Sequence, residues 1–316
     1  MAAIALARAG VRPVILERQR IIGDAICGGF LSWRTLDSLA RWNVPREALA
    51  GHPLTRVALF HRDASVTADL PGGAIGVSRQ RLDNVLIAQA EAAGAGIECG
   101  VILREADGAR LRTADGATIT GEALLLATGK HELRGAARTA KPATDPTLGL
   151  RWRMPAHPRL QRLIGDAIEL HLFDVGYAGL VVQEDGSANL CMAVRRSRLA
   201  AAGSPDKLLA ALADEAPQLG ERISFIDGAT ADAVANVPYG WRATATQPGV
   251  FRLGDQAGVI PSLAGEGIGI ALASGAYAAA ALLRYGPAGA QCYQRELSAT
   301  LRRPIGIAAL AWRLAE

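Results

Sequence analysis

A chain of 316 residues that is 50% hydrophobic and 20% charged can bury a large core over one to three domains, which excludes a disordered chain. Its net charge of +4 comes from scattered arginines, with Lys130, Lys141 and Lys207 the only lysines, so a nucleic-acid partner is not expected. Cys27, Cys99, Cys191 and Cys292 lie far apart with no C-x-x-C, which argues against a zinc site or a disulfide framework.

In chain order, Met1 to Ala9 reads as an alanine-rich helix closed by Gly10, and Val11 to Leu16 as a short strand ending at Glu17. A helix, a glycine and a strand ending in an acid form the second half of a β-α-β nucleotide unit. There the acid binds a ribose hydroxyl, about 20 residues after the start of a G-x-G-x-x-G loop. Counting back from Glu17 by that spacing passes Met1, so the glycine fingerprint and its strand are expected to be missing from the chain. The competing reading of Glu17 is a solvated strand end. Cys27-Gly28-Gly29 forms a turn before a helix capped by Ser32, with Leu36, Leu39 and Trp42 on one face. Cys27 reads either as a small buried hydrophobe or as a residue pressed against a planar cofactor.

Thr55 to Leu70 alternates as a small antiparallel sheet ended by Gly72-Gly73. Ser78 caps a helix carrying Leu82, Val85 and Leu86, closed by Gly94, and a strand follows from Ile97 to Leu103. Arg79 in that helix's first turn opposes the dipole, so an anion is expected beside it, either a cofactor diphosphate or a carboxylate. Leu111 to Gly121 reads as a hairpin around Asp115-Gly116, and Ala123 to Ala127 as a buried strand. Lys130 to Pro158 is rich in Pro, Arg and Thr and reads as the passage into a second domain. Ala167 to Val182 and Ala188 to Val194 are strand-like, Ser204 to Leu219 is an amphipathic helix, and helix continues around Pro304 to Glu316. His131, His171 and Tyr177 read as structural.

The most informative stretch is GVFRLGDQAGVIPSLAGEGIGIALASGAYAAAALLR, Gly249 to Arg284. A short strand ends at Gly254-Asp255, and a loop broken by Gly265 and Gly267 opens a long apolar helix. Unpaired N–H groups of a first helical turn carry partial positive charge, glycines allow close approach, and Asp255 adds an acceptor for hydroxyls. Such a corner suits a polar, electron-rich ligand.

Four blocks, AIALARAGVRPVILER, the Cys27-Gly28-Gly29 turn, SRQRLDNVLIAQAEAAGA and LGDQAGVIPSLAGEGIGIALASG, resemble in order the FAD-dependent oxidoreductases that include geranylgeranyl reductases and the p-hydroxybenzoate-hydroxylase type of monooxygenase. LLLATGKHELRG is a weaker match, and the C-G-G turn leans toward the reductase branch. The resemblance implies that Glu17 binds the adenosine ribose with Arg18 beside it, and that Val101 meets the adenine through its backbone. It also implies that Arg79 lies near the diphosphate and Asp255 at the ribityl or diphosphate part. Gly265, Gly267, Ile268 and Gly269 would then underlie the isoalloxazine, with Cys27, Gly28 and Gly29 near its reactive face. Two departures stand out: the dinucleotide glycine loop is absent, and so is the aromatic-rich signature of archaeal isoprenoid reductases, whose nearest counterpart runs from Phe173 to Leu180.

The expected fold is α/β, mixed with α+β. A Rossmann-like FAD/NAD(P)-binding domain (residues 1–50, 75–139 and 246–285) joins a β-sheet substrate domain (51–74 and 140–245) and C-terminal helices (286–316). The expected function is a geranylgeranyl-reductase-like oxidoreductase passing hydride through FAD from NAD(P)H to a carbon–carbon double bond of a hydrophobic small molecule. The alternatives are an aromatic monooxygenase that uses NAD(P)H and oxygen, and a non-catalytic flavoprotein remnant. No apolar run reaches about 20 residues free of charges or glycine clusters, so no transmembrane segment is expected, only peripheral membrane contact for a lipid substrate. Arg8, Arg12 and Glu17 interrupt any signal-peptide layout, so the expected location is cytoplasmic.

Overall fold

A computed structural model describes residues 1–141 and 143–316. Helix α1 (Ala2–Arg8) leads into β1 (Val14–Glu17), β2 (Phe30–Leu31), α2 (Trp33–Arg41) and the single turn α3 (Arg46–Leu49). The hairpin β3 (His52–His61) and β4 (Ala64–Gly76) precedes α4 (Arg79–Ala92), β5 (Gly96–Cys99) and a meander of β6 (Leu103–Asp107), β7 (Arg110–Thr113) and β8 (Thr118–Thr120). Next come β9 (Leu124–Leu126), β10 (Thr147–Met154), α5 (Pro158–Ile164), β11 (Ala167–Phe173), β12 (Gly176–Val182) and β13 (Ala188–Arg195). Helices α6 (Arg196–Ala202), α7 (Pro205–Glu215) and α8 (Pro217–Ile223) lead to β14 (Asp232–Val237) and β15 (Val250–Arg252). The long helices α9 (Gly267–Tyr285) and α10 (Ala290–Ala315) follow.

Two layers of structure result. An eight-stranded sheet runs in the order β14-β10-β13-β12-β11-β3-β4-β2, antiparallel except where β11 lies parallel to β3. Trp152, Met154, Leu180 and Leu190 pack from this sheet against Leu208, Leu212 and Leu219 of α7 and α8. The second layer holds two parallel pairs, β1 with β5 and β9 with β15, each strand paired on one side only among the described residues. Against β15, α9 and α10 bury Phe251, Ile270, Tyr293, Leu297 and Leu301.

The caps expected at Ser32, Ser78 and Ser204 all form, each hydroxyl accepting the backbone N–H three residues on. Elsewhere the structure departs from expectation for identifiable reasons. The Thr55–Leu70 sheet is part of the large one, and β4 runs through Gly72-Gly73 because glycine lets the strand lie on the Trp33 ring. The strand expected over Ile97–Leu103 splits at Gly100, whose φ of +81° turns the chain out of β5. Pro217 divides the helix expected over Ser204–Leu219 into α7 and α8. The passage from Lys130 to Pro158 contains β10, whose buried Leu150, Trp152 and Met154 alternate with Arg151 and Arg153. Among the described residues, the helical stretch Gly267–Ala315 is long and apolar enough, by length and composition alone, to cross a membrane. Gly269 and Gly275 lie within α9, whereas Gly286, at φ +61°, and Gly289 bound the short turn before α10, and α9 sends Ile270, Leu272, Ala278 and Ala279 into the core.

His171 is structural, as expected. It lies with Glu169 and Arg222 in a buried cluster: Arg222 grips Glu169 through two hydrogen bonds of 2.9 and 2.8 Å, and His171 Nε2 lies 3.1 Å from the same carboxylate. Phe60 stacks on the imidazole at 4.3 Å.

Candidate functional site

The expected strand–acid–loop–helix corner forms. Buried β15 lies parallel to β9, Phe251 opposite Leu125: β9 is wholly apolar, and β15 brings Val250 and Phe251 together with a buried Arg252. The chain then turns at Gly254, whose φ is +53° and whose N–H donates to Ser274 Oγ at 2.9 Å. Gly265 takes up φ +66°, its Cα face on the Phe30 ring, and α9 begins at Gly267. Glu266 at the N-cap makes no side-chain capping bond and the first turn contains no acid. The N–H groups of Gly267, Ile268 and Gly269 thus begin a 19-residue helix without an intrahelical acceptor. A Cβ added at Gly267 would meet nothing within 4 Å. An open, donor-rich helix start of this kind fits the electron-rich edge of a flavin ring.

Two side chains tie the ends of β9 and β15 together. Arg138 donates to the Asp255 carbonyl at 3.1 Å and the Lys130 carbonyl at 2.8 Å, and buried Gln256 donates to the carbonyls of Gly129 and His131, both at 2.9 Å. Asp255 itself, expected to accept from a ligand hydroxyl, accepts from Lys130 Nζ at 3.0 Å. Burial works against the Lys130 charge, but the Asp255 carboxylate overrides it and raises the ammonium's pKa. His131 carries the connection onward, its Nε2 lying 3.2 Å from Arg18 Nη2. Burial, with Arg18 and Lys130 nearby, lowers the imidazole's pKa.

Glu17, Arg18 and Val101 share the far end of this line. The Val101 N–H donates to the Glu17 carbonyl at 2.9 Å, and the Glu17 carboxylate accepts from the Gln19 N–H at 2.8 Å. Arg79 pairs within its own helix: Asp83 accepts both guanidinium bonds, at 3.0 and 2.8 Å.

Cys27-Gly28-Gly29 is held from the large sheet. Asn189 Nδ2 donates to the Cys27 carbonyl at 2.8 Å and the Gly28 carbonyl at 2.9 Å, and Cys191 Sγ lies 2.8 Å from the same Cys27 oxygen. Burial pushes the Cys191 thiol up to about 12. Gly29, at φ +74°, leaves no room for a side chain against Gln183 and the Val77 carbonyl.

Beside the start of α9 stands a group of hydroxyls invisible in the sequence. Tyr177 of β12 donates to Ser262 Oγ at 3.0 Å, and the Tyr239 hydroxyl also meets Ser262. Trp312 of α10 stands edge-on to both rings, with centroids 5.6 and 5.8 Å away. Burial, and for Tyr177 the neighbouring Tyr239, raise both phenol pKa values, so both hold their protons at neutral pH. Asp255 adds to the upward push on the Tyr239 phenol while Lys130 opposes it, and Cys27 adds to that on Tyr177. Two cavities, about 320 Å³ beside His52 and Glu184 and about 510 Å³ between α7 and α8, lie away from it.

Solved structures share this architecture. PqsL of Pseudomonas aeruginosa, a probable FAD-dependent monooxygenase, superposes with a TM-score of 0.76 at 14% identity over 99% of this chain and 92% of its own. 2-Methyl-3-hydroxypyridine-5-carboxylic acid oxygenase does so at 0.76 and 17%, over 99% and 88%. The fold is that of FAD-dependent monooxygenases. The halogenase PltM shares this monooxygenase fold, with a TM-score of 0.73 and 14% identity over 96% of this chain and 70% of its own. No family model and no curated protein sequence matches the chain.

Proposed function

We propose that this chain is an FAD-dependent oxidoreductase acting on a small aromatic molecule, and that it is a monooxygenase. The observation that carries the reading is the meeting of two protonated phenols and Ser262 beside the open start of α9, with Trp312 as an aromatic wall. A wall of hydroxyls and aromatic rings suits a ring bearing polar substituents better than a bare polyprenyl chain. The monooxygenase neighbours support the same choice; one PqsL structure holds 2-aminobenzoylacetate.

In this reading the N–H groups of Gly267, Ile268 and Gly269 hold the polar edge of the isoalloxazine, and Gly265 lets it approach. Arg18, His131 and Glu17 face the adenosine end, and Lys130 with Asp255 lies between. Bound FAD would supply two-electron redox chemistry with NAD(P)H as donor and oxygen as co-substrate. Tyr177 and Tyr239 orient the substrate by donating or accepting at its ring substituents, and Trp312 excludes water from its face.

A second reading, the reductase, is favoured by the Cys27 loop, which Asn189 and Cys191 hold firmly against the sheet. The two separate by oxygen. The chain is loaded with FAD, checked for protein-bound absorbance near ~450 nm, and assayed with NAD(P)H against phenols and aromatic acids. Substrate-dependent oxygen uptake is expected. Anaerobic turnover with an alkene would overturn the monooxygenase reading, and failure to retain flavin would leave a non-catalytic relative.

A further inference from the structure

The outer face of α10 has no partner among the described residues. Ile307, Leu310 and Leu314 are 61%, 59% and 80% exposed, while Ile305, Ala308 and Trp312 on the opposite side are buried. Positions 303, 307, 310 and 314 are spaced by four, three and four residues and therefore share one helical face. Arg303 continues that line, Arg302 and Arg313 flank it, all three are exposed, and none forms an ion pair among the described residues. The one acid at the helix end, Glu316, is taken by Arg195 at 2.7 Å. Glu296, the only other acid of α10, lies two turns upstream, about 10 Å from Arg303 along the axis.

We propose that this face of α10 docks on an anionic lipid surface, lying in the headgroup layer with its three aliphatic side chains inserted and its arginines on lipid phosphates. The stretch from Arg302 to Leu314 is about 20 Å long, too short to span a bilayer core of about 30 Å but long enough to lie flat. Charge decides the occupant. An antiparallel pairing of two copies through the three aliphatic residues would bring the Arg303 end of one helix to the Arg313 end of the other, with no acid between them. An anionic surface complements both the apolar and the cationic part of the stripe. The inference goes beyond the proposed reaction and stands whether or not that reading holds.

The test is co-sedimentation of the full chain with vesicles of phosphatidylglycerol and phosphatidylcholine, compared with pure phosphatidylcholine. At least about ten-fold more binding to the anionic vesicles is expected, weakening at high salt as screening shortens the reach of the arginines. The triple variant Ile307→Ser, Leu310→Ser, Leu314→Ser and the triple variant Arg302→Gln, Arg303→Gln, Arg313→Gln should each lower it by about ten-fold. Circular dichroism checks their folding, and the second set keeps the test open if the first misfolds. Equal binding to neutral vesicles, no binding, or binding unmoved by both sets would overturn the proposal. So would light scattering that shows a dimer which the serine variant turns into a monomer.

Discussion

Replacing Gly267 by aspartate separates the stability of α9 from its service to a cofactor. The added side chain enters open space, since nothing lies within 4 Å of its Cβ, and the first turn of the helix has no acid. A carboxylate there meets the positive end of the dipole and should stabilise the fold by about 0.3–1 kcal/mol. With an unfolding entropy of roughly 2.1 cal/mol/K per residue, that raises the melting temperature by roughly 0.5–1.5 °C. Flavin binding should respond in the opposite sense. At about 6 Å and an effective dielectric constant of about 20, the introduced carboxylate repels an anionic reduced ring by roughly 3 kcal/mol. Reduced FAD should then bind roughly 100-fold more weakly and the two-electron potential fall by roughly 60 mV. Thermal melting without cofactor, fluorescence titration and a dye-linked potential measurement read the three quantities. A variant whose reduced-flavin affinity and potential match the parent would refute the assignment of flavin to this helix start.

Glu169→Gln leaves the buried Arg222 charge with Glu221 alone, 3.4 Å away, and should cost up to about 3–5 kcal/mol in urea unfolding, while replacing the Glu169 and Arg222 pair by leucines should cost far less. Despite burial, the hydrogen bonds from His171 and Arg222 hold the Glu169 carboxyl below its ordinary range. Its contribution is therefore present above the unfolded carboxylate pKa and lost as pH falls through the lower folded value, and a Glu169→Gln stability profile should lack that acid limb. Ser262→Ala strips the acceptor from the buried Tyr177 hydroxyl, for an expected loss of about 1–2 kcal/mol and weaker binding of polar aromatic ligands, read by melting and calorimetry. Asn189→Ala frees the Cys27 and Gly28 carbonyls, so alkylation of Cys27 should accelerate several-fold, measured by mass spectrometry; an unchanged rate would show that Asn189 does not restrain the loop.

What was legible in the sequence was local. Serine caps and the strand–turn–helix around Asp255 are written in neighbouring residues and form where their chemistry predicts, whereas the stop expected at Gly72-Gly73 does not. The occupants of that corner were not legible. Lys130 reaches Asp255 only because β9 and β15 run side by side, and Tyr177, Tyr239, Ser262 and Trp312 come from four separate elements or loops. The carboxylate beside Arg79 is Asp83, one turn along, an i,i+4 pair visible in principle in the sequence. Strand β10 is hidden in the sequence because Arg151 and Arg153, alternating with its apolar residues, give a Pro- and Arg-rich stretch the look of a linker, although Asp24, Asp185 and Asp232 pair with them.

The position of Trp312 also sets when the two tyrosines are covered. Its ring packs against Tyr177 and Tyr239, which meet at Ser262 and are made well before it in synthesis. While α10 is still inside the ribosome, the two tyrosines have no indole against them and stand open to water. A nascent chain stalled before α10 would therefore present a bare hydroxyl and aromatic surface that chaperones could engage.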